Sequence, residues 1–137
     1  MWRYYALLSA LFAALTAILA KMGIKGIGGN LATAVRTVIV LMVAWGIVFA
    51  YGEQKQLKEL SRNNLLFLAA SGLATGLSWI FYFKALETGP VSKVAPIDKL
   101  SVAIAIVLAV VILGEPLDWK TAAGAVMILA GTLVLVL

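Results

Sequence analysis

The sequence predicts an all-α membrane protein with five transmembrane helices. Hydrophobic residues make up 64% of the 137-residue chain and charged residues only 12%, whereas a typical soluble domain is about 45–50% apolar and about 25% charged. The charges divide the chain into five apolar stretches, and a helix needs roughly 20 such residues to cross the hydrocarbon core of a bilayer. No stretch alternates as strands do, and lipid permits only helices or closed barrels.

The first two predicted spans are joined by a glycine-rich turn. The first span covers about 3–21 and ends at Lys21. The turn at 23–30 is rich in glycine, which tolerates backbone angles that other residues avoid. The second span covers about 31–52, and it reaches spanning length only if Arg36 and the residues before it are included.

The last three predicted spans each follow a polar loop or a turn that contains proline. The loop at 53–63 is strongly polar, and the third span follows it at about 64–84. The fourth span covers about 90–113 and the fifth about 118–137, each beginning at a Gly/Pro break. Because this length corresponds to one domain, we predict a single transmembrane domain over 1–137.

The residue types that are missing exclude several kinds of function. The chain has no cysteine and no histidine, which removes disulfides, thiol nucleophiles, Ser-His pairs, haem ligation and most zinc sites. We therefore predict that the protein is not an enzyme and holds no cofactor or metal. The net charge of +5 is attributed to lysine and arginine at loop ends beside the lipid bilayer, not to nucleic-acid binding.

Two charged residues inside the fourth span give the sharpest functional prediction. Asp98 and Lys99 are costly at membrane depth, so they are expected to serve a solute pathway. Because neighbouring helix positions are about 100° apart, each side chain is expected to meet a different neighbour. Pro96 removes a backbone hydrogen bond and is the predicted hinge. The alternative is that Asp98 ties down a loop end while Lys99 snorkels to the headgroups.

One face of the third span carries hydroxyl groups. Four hydroxylated side chains fall within about a 60° arc at helical spacing, and they are Ser71, Thr75, Ser78 and Tyr82. Trp79 flanks them, while Gly72 and Gly76 form a small-residue face that lets another helix approach closely. The hydroxyls and Trp79 are candidates for contact with a polar or aromatic solute. The alternative is ordinary hydrogen bonding between helices.

Charged residues near the span ends have either pathway or structural roles. Arg36, near the start of the second span, and Lys84, near the end of the third, are two further pathway candidates. The alternative for each is an anchor at the end of its helix. Glu87 follows Lys84 by three positions and is expected to pair with it. Glu115 lies at the break before the fifth span and is expected to cap that helix.

Small residues and charge balance bear on how the helices pack and how the chain is oriented. Gly124 and Gly131 lie seven positions apart in the fifth span and form a seam for tight helix contact, within or between subunits. Across five spans, the lysines and arginines divide as five on one side of the membrane and five or six on the other. Because lysine and arginine bias sets orientation, neither orientation is favoured. We therefore predict a dual-topology protein.

The order of several short motifs resembles the EamA-like domain, the repeat unit of the drug/metabolite transporter superfamily. The segments that carry the resemblance are 81–86, 89–97, 113–116 and 124–131. The resemblance covers essentially the whole chain. The stretch 97–101 is similar to the variant in short, single-domain bacterial and archaeal members, and it adds Ser101 to the pathway candidates.

The resemblance implies a function that composition does not show. Typical members have two such domains, related as an inverted repeat around a central cavity, so this chain is expected to be one half of an inverted-repeat transporter. Together with the balanced charges, this implies that two copies assemble as an antiparallel homodimer. They export metabolites, amino acids or toxic compounds across the inner membrane. We therefore expect a secondary transporter, an exporter of small organic metabolites or drugs by alternating access, in the cytoplasmic membrane of a prokaryote. The alternatives are an accessory membrane subunit and a flippase of a lipid-linked intermediate.

Overall fold

The computed structural model describes residues 1–137 and contains helices but no strand. The helices are α1 (Trp2–Gly23), α2 (Gly29–Tyr51), α3 (Arg62–Thr88), α4 (Val91–Asp98), α5 (Leu100–Leu113) and α6 (Trp119–Val136), with a 3-10 helix at Glu53–Glu59. Five helical segments are long and apolar enough to cross a membrane, and α4 with α5 forms the fourth, Val91–Leu113. The predicted all-α membrane fold with five spanning helices is therefore confirmed.

The lengths of the spanning segments fit the thickness of a bilayer. The shortest, α6, has 18 residues, or about 27 Å at a rise of about 1.5 Å per residue. The longest, α3, has 27 residues, or about 40 Å. Because the hydrocarbon core is about 30 Å thick, α3 is longer than a perpendicular span requires.

Residues 19–87 form one compact unit, and residues 1–18 with 88–137 form the other. In the unit of 19–87, α2 begins directly against the end of α3. A Cβ atom at Gly29 would lie 3.1 Å from both the Lys84 nitrogen and the Phe83 carbonyl carbon. The absence of a side chain at Gly29 therefore lets the two backbones approach this closely.

In the other unit, α6 lies against both α4 and α5. Ala103 on α5 and Thr132 on α6 are buried. Lys93 Nζ donates a hydrogen bond to the Val136 carbonyl at 3.2 Å, so the end of α6 lies beside the start of α4. Gly114 ends α5 with a φ of +68°, a left-handed conformation that glycine adopts without a steric penalty.

Asp118 caps the N-terminus of α6. Its carboxylate accepts a hydrogen bond from the Thr121 backbone nitrogen at 3.2 Å, and bonding to Thr121 lowers the pKa of Asp118. The prediction that Glu115 caps this helix is wrong, because the capping side chain stands immediately before the first helical residue and α6 begins at Trp119. Glu115 lies in the preceding turn, where its backbone nitrogen donates to the Ala109 carbonyl at 3.2 Å.

Most large apolar side chains of the spanning helices are exposed in the single chain. No spanning segment has more than 11% of its most apolar window buried. Phe67 on α3 and Val111 on α5, for example, expose 77% and 74% of their surface. Apolar surface on this scale needs lipid or protein around it, as an integral membrane protein has.

Candidate functional site

An arginine on α2 lies over aromatic rings of α3. The Cζ atom of Arg36 is 4.3 Å from the centroid of the Trp79 ring and 5.5 Å from that of the Phe83 ring. The Tyr82 ring lies 6.4 Å from the Phe83 ring in an edge-on arrangement. Arg36, Trp79 and Tyr82 are half-buried and Phe83 is buried. These four residues form the arginine–aromatic cluster.

Helical spacing on α3 places two rings beside one guanidinium. Trp79 and Phe83 are four positions apart, so they share one face of the helix. The two helices run antiparallel here, since Gly29 at the start of α2 lies against Lys84 and Arg36 lies over the earlier Trp79. An aromatic face attracts a cation, and such a contact is worth about 0.5–2 kcal/mol.

Two hydrogen bonds hold the end of α3 to the last turn of α1 and to the start of α2. The Glu87 carboxylate accepts from the Gly29 backbone nitrogen, and Lys21 Nζ donates to the Leu86 carbonyl. The first N–H groups of a helix have no partner within that helix and carry partial positive charge, so a carboxylate is favoured there. The expected pair between Glu87 and Lys84 is not formed for this reason, and Lys84 is exposed.

The charge of Arg36 has no acidic partner within the chain. The chain has six acidic residues. The ion pair that forms within the chain joins Asp98 to Lys99. Glu87 lies on the same helix as Trp79, but its carboxylate accepts from Gly29. The guanidinium has five N–H donors, and a ring face supplies them with no oxygen acceptor.

A second set of predicted residues lies where the fourth spanning segment is broken. α4 ends at Asp98 and α5 begins at Leu100, so the helix is interrupted at Lys99. The Lys99 nitrogen donates to the Ala95 and Pro96 carbonyls at 3.3 and 3.0 Å, which is a tightened last turn of helix. The predicted hinge, Pro96, thus lies three positions before the break.

Asp98 and Lys99 pair with each other at this break. Lys99 Nζ lies 3.2 Å from Asp98 Oδ2, and the two side chains are 55% and 35% exposed. The expectation that each meets a different neighbour is wrong, because the long, flexible lysine side chain reaches back to the carboxylate of the preceding residue. Ser101 Oγ donates to the Asp98 carbonyl at 2.6 Å, so this candidate also belongs to the turn.

Thr132 on α6 was not among the predicted site residues, although it is next to the break. It is 5% exposed, and its Oγ1 lies 2.8 Å from the Ile128 carbonyl and 3.4 Å from the Pro96 carbonyl. Threonine often bonds the carbonyl four residues earlier in its own helix, so its presence in α6 does not by itself indicate a site. The only sequence signal was a polar residue within an apolar stretch. Its location shows that α6 presents a hydroxyl to the backbone at Pro96.

The remaining candidates make few contacts within the chain. Thr75 Oγ1 donates to the Ser71 carbonyl at 2.9 Å, so that hydroxyl is bonded within α3 itself, and Ser78 is exposed. A Cβ atom would meet nothing within 4 Å at any glycine of the predicted packing faces, which are Gly72, Gly76, Gly124 and Gly131. No other helix of this chain therefore uses those faces for close contact.

The predicted site residues thus fall into two groups. Arg36, Trp79 and Tyr82 belong to the unit of residues 19–87, with Phe83 as a member that sequence reasoning missed. The group at the helix break, with Asp98 and Lys99, belongs to the other unit. No group of three or more acidic, histidine or cysteine residues lies together as a metal site.

The chain is a polytopic α-helical membrane protein. Its apolar helices carry an ion pair at a helix break and an arginine among aromatic rings, which are features of membrane proteins that handle solutes. The chain belongs to the EamA-like transporter family, whose model matches residues 1–137. It is similar to a Sinorhizobium protein named "Uncharacterized transporter in cobO 3'region", with 47% identity over 134 residues, covering 98% of this chain and 95% of that protein. No solved structure matches the chain. Family and relative point to a membrane transporter and not to an enzyme.

Proposed function

We propose that this protein is a secondary transporter that exports small organic metabolites or drugs by alternating access. The observation that carries the proposal is the break in the fourth spanning segment at Lys99, with the Asp98–Lys99 ion pair at it. Transporters commonly place their binding sites at discontinuous helices near the bilayer midplane. The break gives the segment a place to bend, and the pair gives it charges that a solute or a coupling ion can engage.

The depth of the ion pair supports this function over a role at the membrane surface. Asp98 lies seven positions after Val91, about 10 Å along the helix axis, whereas half of the hydrocarbon core is about 15 Å. A lone charge at that depth is costly, and the pair reduces the cost while both partners stay charged. A species that neutralises one partner therefore changes the preferred state of the other.

Nine residues are proposed to line the pathway, and they are Arg36, Thr75, Ser78, Trp79, Tyr82, Lys84, Asp98, Lys99 and Ser101. Pro96 is proposed to act as the hinge, since its missing N–H weakens the turn before the break. The proposal treats residues 1–137 as one EamA-like domain in the cytoplasmic membrane of a prokaryote. The Sinorhizobium relative supports that location.

The complete transporter is proposed to be an antiparallel homodimer of two such chains. Three observations support it: the exposed apolar surface of the spanning helices, the balanced distribution of lysine and arginine, and the open space over the glycine faces. Gly124 and Gly131 on α6, and Gly72 and Gly76 on α3, are the proposed contact faces, because small residues let helices of two chains approach closely.

The proposal is tested by solute flux into proteoliposomes with Asp98→Asn and Glu59→Gln. The amide keeps the volume of the Asp98 side chain but removes its charge, so we expect the initial rate to fall by about tenfold or more. Glu59 lies in the exposed 3-10 helix, so Glu59→Gln should transport at the wild-type rate.

Each alternative has its own outcome in this experiment. Wild-type flux in Asp98→Asn would remove the ion pair from the transport site, and failure of that variant to accumulate would give Asp98 a structural role. A wild-type protein that moves no solute from a broad metabolite mixture would favour an accessory subunit. Movement of a lipid-linked substrate alone would favour a flippase.

A further inference from the structure

Arg36 lies inside a helix that is long and apolar enough to cross a membrane. Arg36 is seven positions after Gly29, the first residue of α2, about 10 Å along the helix axis. A guanidinium at such a depth pairs with an anion, a carbonyl or water in most membrane proteins. Here it contacts the Trp79 and Phe83 rings at 4.3 and 5.5 Å, and these rings compensate only part of the lost hydration.

No acid of the chain is placed to compensate Arg36. Glu87 accepts from the Gly29 nitrogen, Asp98 pairs with Lys99, and Asp118 accepts from the Thr121 nitrogen. The other three acids are Glu53, Glu59 and Glu115, and none lies within ion-pairing distance of a cation. The chain therefore supplies no acidic partner for Arg36, and an anion from outside the chain can take that place.

The shape of the cluster indicates what kind of anion fits. Guanidinium presents its donors as a planar fork that matches a carboxylate or phosphate group bidentately. The adjoining surface is aromatic, with half-buried Trp79 and Tyr82 beside the buried Phe83. Aromatic side chains contribute apolar area and ring contacts, so an apolar or aromatic body beside the oxyanion is accommodated.

We propose that the arginine–aromatic cluster is a binding site for an amphiphilic organic anion, whose oxyanion bonds to Arg36 and whose apolar body lies against the rings of α3. Two sources supply this chemistry, a soluble organic anion and an anionic lipid headgroup. For the soluble source the inference rests on the proposed transport function and assigns the substrate class.

Binding is measured on the delipidated dimer or monomer in uncharged detergent, by the thermal shift that a ligand gives. The soluble probes are phenylacetate, phenethylamine and benzyl alcohol, which share a ring and differ in charge. The lipid probe is a short-chain phosphatidylglycerol, with the matching diacylglycerol as its uncharged control. We expect phenylacetate to raise the melting temperature and the amine and alcohol to leave it unchanged.

Variants then locate the site. Arg36→Gln should weaken phenylacetate binding about ten- to hundredfold, because charge-assisted hydrogen bonds are lost. Arg36→Lys keeps the charge without the planar fork and should bind phenylacetate with intermediate affinity. It replaces Arg36→Gln as the test of the site if Arg36→Gln does not fold. Arg62→Gln, at the start of the same α3 helix, removes one positive charge away from the cluster and should bind as the wild type does.

The outcomes separate the two sources and the two proposals. A response to phosphatidylglycerol that Arg36→Gln abolishes, without a response to phenylacetate, assigns the site to lipid and overturns the substrate class. Equal responses to phenylacetate and phenethylamine, or unchanged affinity in both Arg36 variants, overturn the oxyanion site. Failure of the transport function appears differently, as binding of phenylacetate at Arg36 with no flux of any solute.

Discussion

A methyl group at Gly29 should destabilise the contact between α2 and α3. The Cβ atom of Gly29→Ala would lie 3.1 Å from the Lys84 nitrogen and the Phe83 carbonyl carbon and 3.2 Å from Glu87 Cδ. Two of these three atoms are backbone of a helix, so relief requires the two helices to separate by a few tenths of an ångström. Overpacking of this kind costs about 1–3 kcal/mol, and the gain in helix propensity is below about 1 kcal/mol.

Gly46→Ala is the matched control for this variant. Gly46 lies in the same α2 helix, and its Cβ atom would meet nothing within 4 Å. Replacing glycine by alanine in the interior of a helix stabilises it by roughly 0.5–1 kcal/mol. The two alanine variants should therefore shift stability in opposite directions.

The assay is thermal unfolding of each purified variant in one detergent at one protein concentration. We expect Gly29→Ala to melt several degrees below the wild type and Gly46→Ala at or above it. Because Glu87 also binds at Gly29, ligand binding to the arginine–aromatic cluster should weaken in Gly29→Ala. A Gly29→Ala protein as stable as Gly46→Ala would refute the close approach of α2 and α3.

Two further predictions concern the α6 helix and the orientation of the chain. Asp118→Ala should lower the melting temperature because it removes the cap on Thr121, whereas Asp118→Asn, which also caps well, should stay near the wild type; equal losses in both variants would contradict a capping role. Reporter fusions at Leu137 should give mixed signals from both sides of the membrane. Two or three lysines added to one side should fix the orientation. A single orientation of the wild type would exclude dual topology.

The helices could be predicted from the sequence because lipid leaves so few choices. Long apolar stretches between charges must cross the bilayer as helices or closed barrels, and the five spans follow directly. The interruption at Lys99 was harder to predict, because a proline indicates a weakened turn but does not determine the residue at which the helix stops. The expected separation of Asp98 from Lys99 was wrong because a flexible lysine side chain can reach the preceding carboxylate, although neighbouring helix positions are about 100° apart.

Contacts between helices could not be predicted from the sequence. Arg36 and Trp79 were both candidates, yet nothing in either span sets the register that brings them together. That register depends on Gly29 and Glu87, and a carboxylate at the start of a distant helix has no local signal. Small-residue spacing likewise identifies a face that permits close approach, without identifying the helix that uses it.

The two hydrogen bonds at the end of α3 also bear on the order in which the chain is built. Lys21 and Leu86 are 65 positions apart, and Gly29 and Glu87 are 58 apart. The ribosome therefore completes α1 and α2 well before either acceptor on α3 has been synthesised. No acidic residue precedes Glu53, so neither of the first two helices carries a carboxylate that could replace Glu87 in the interim. The start of α2 therefore has no carboxylate partner from its own chain until the end of α3 has been synthesised.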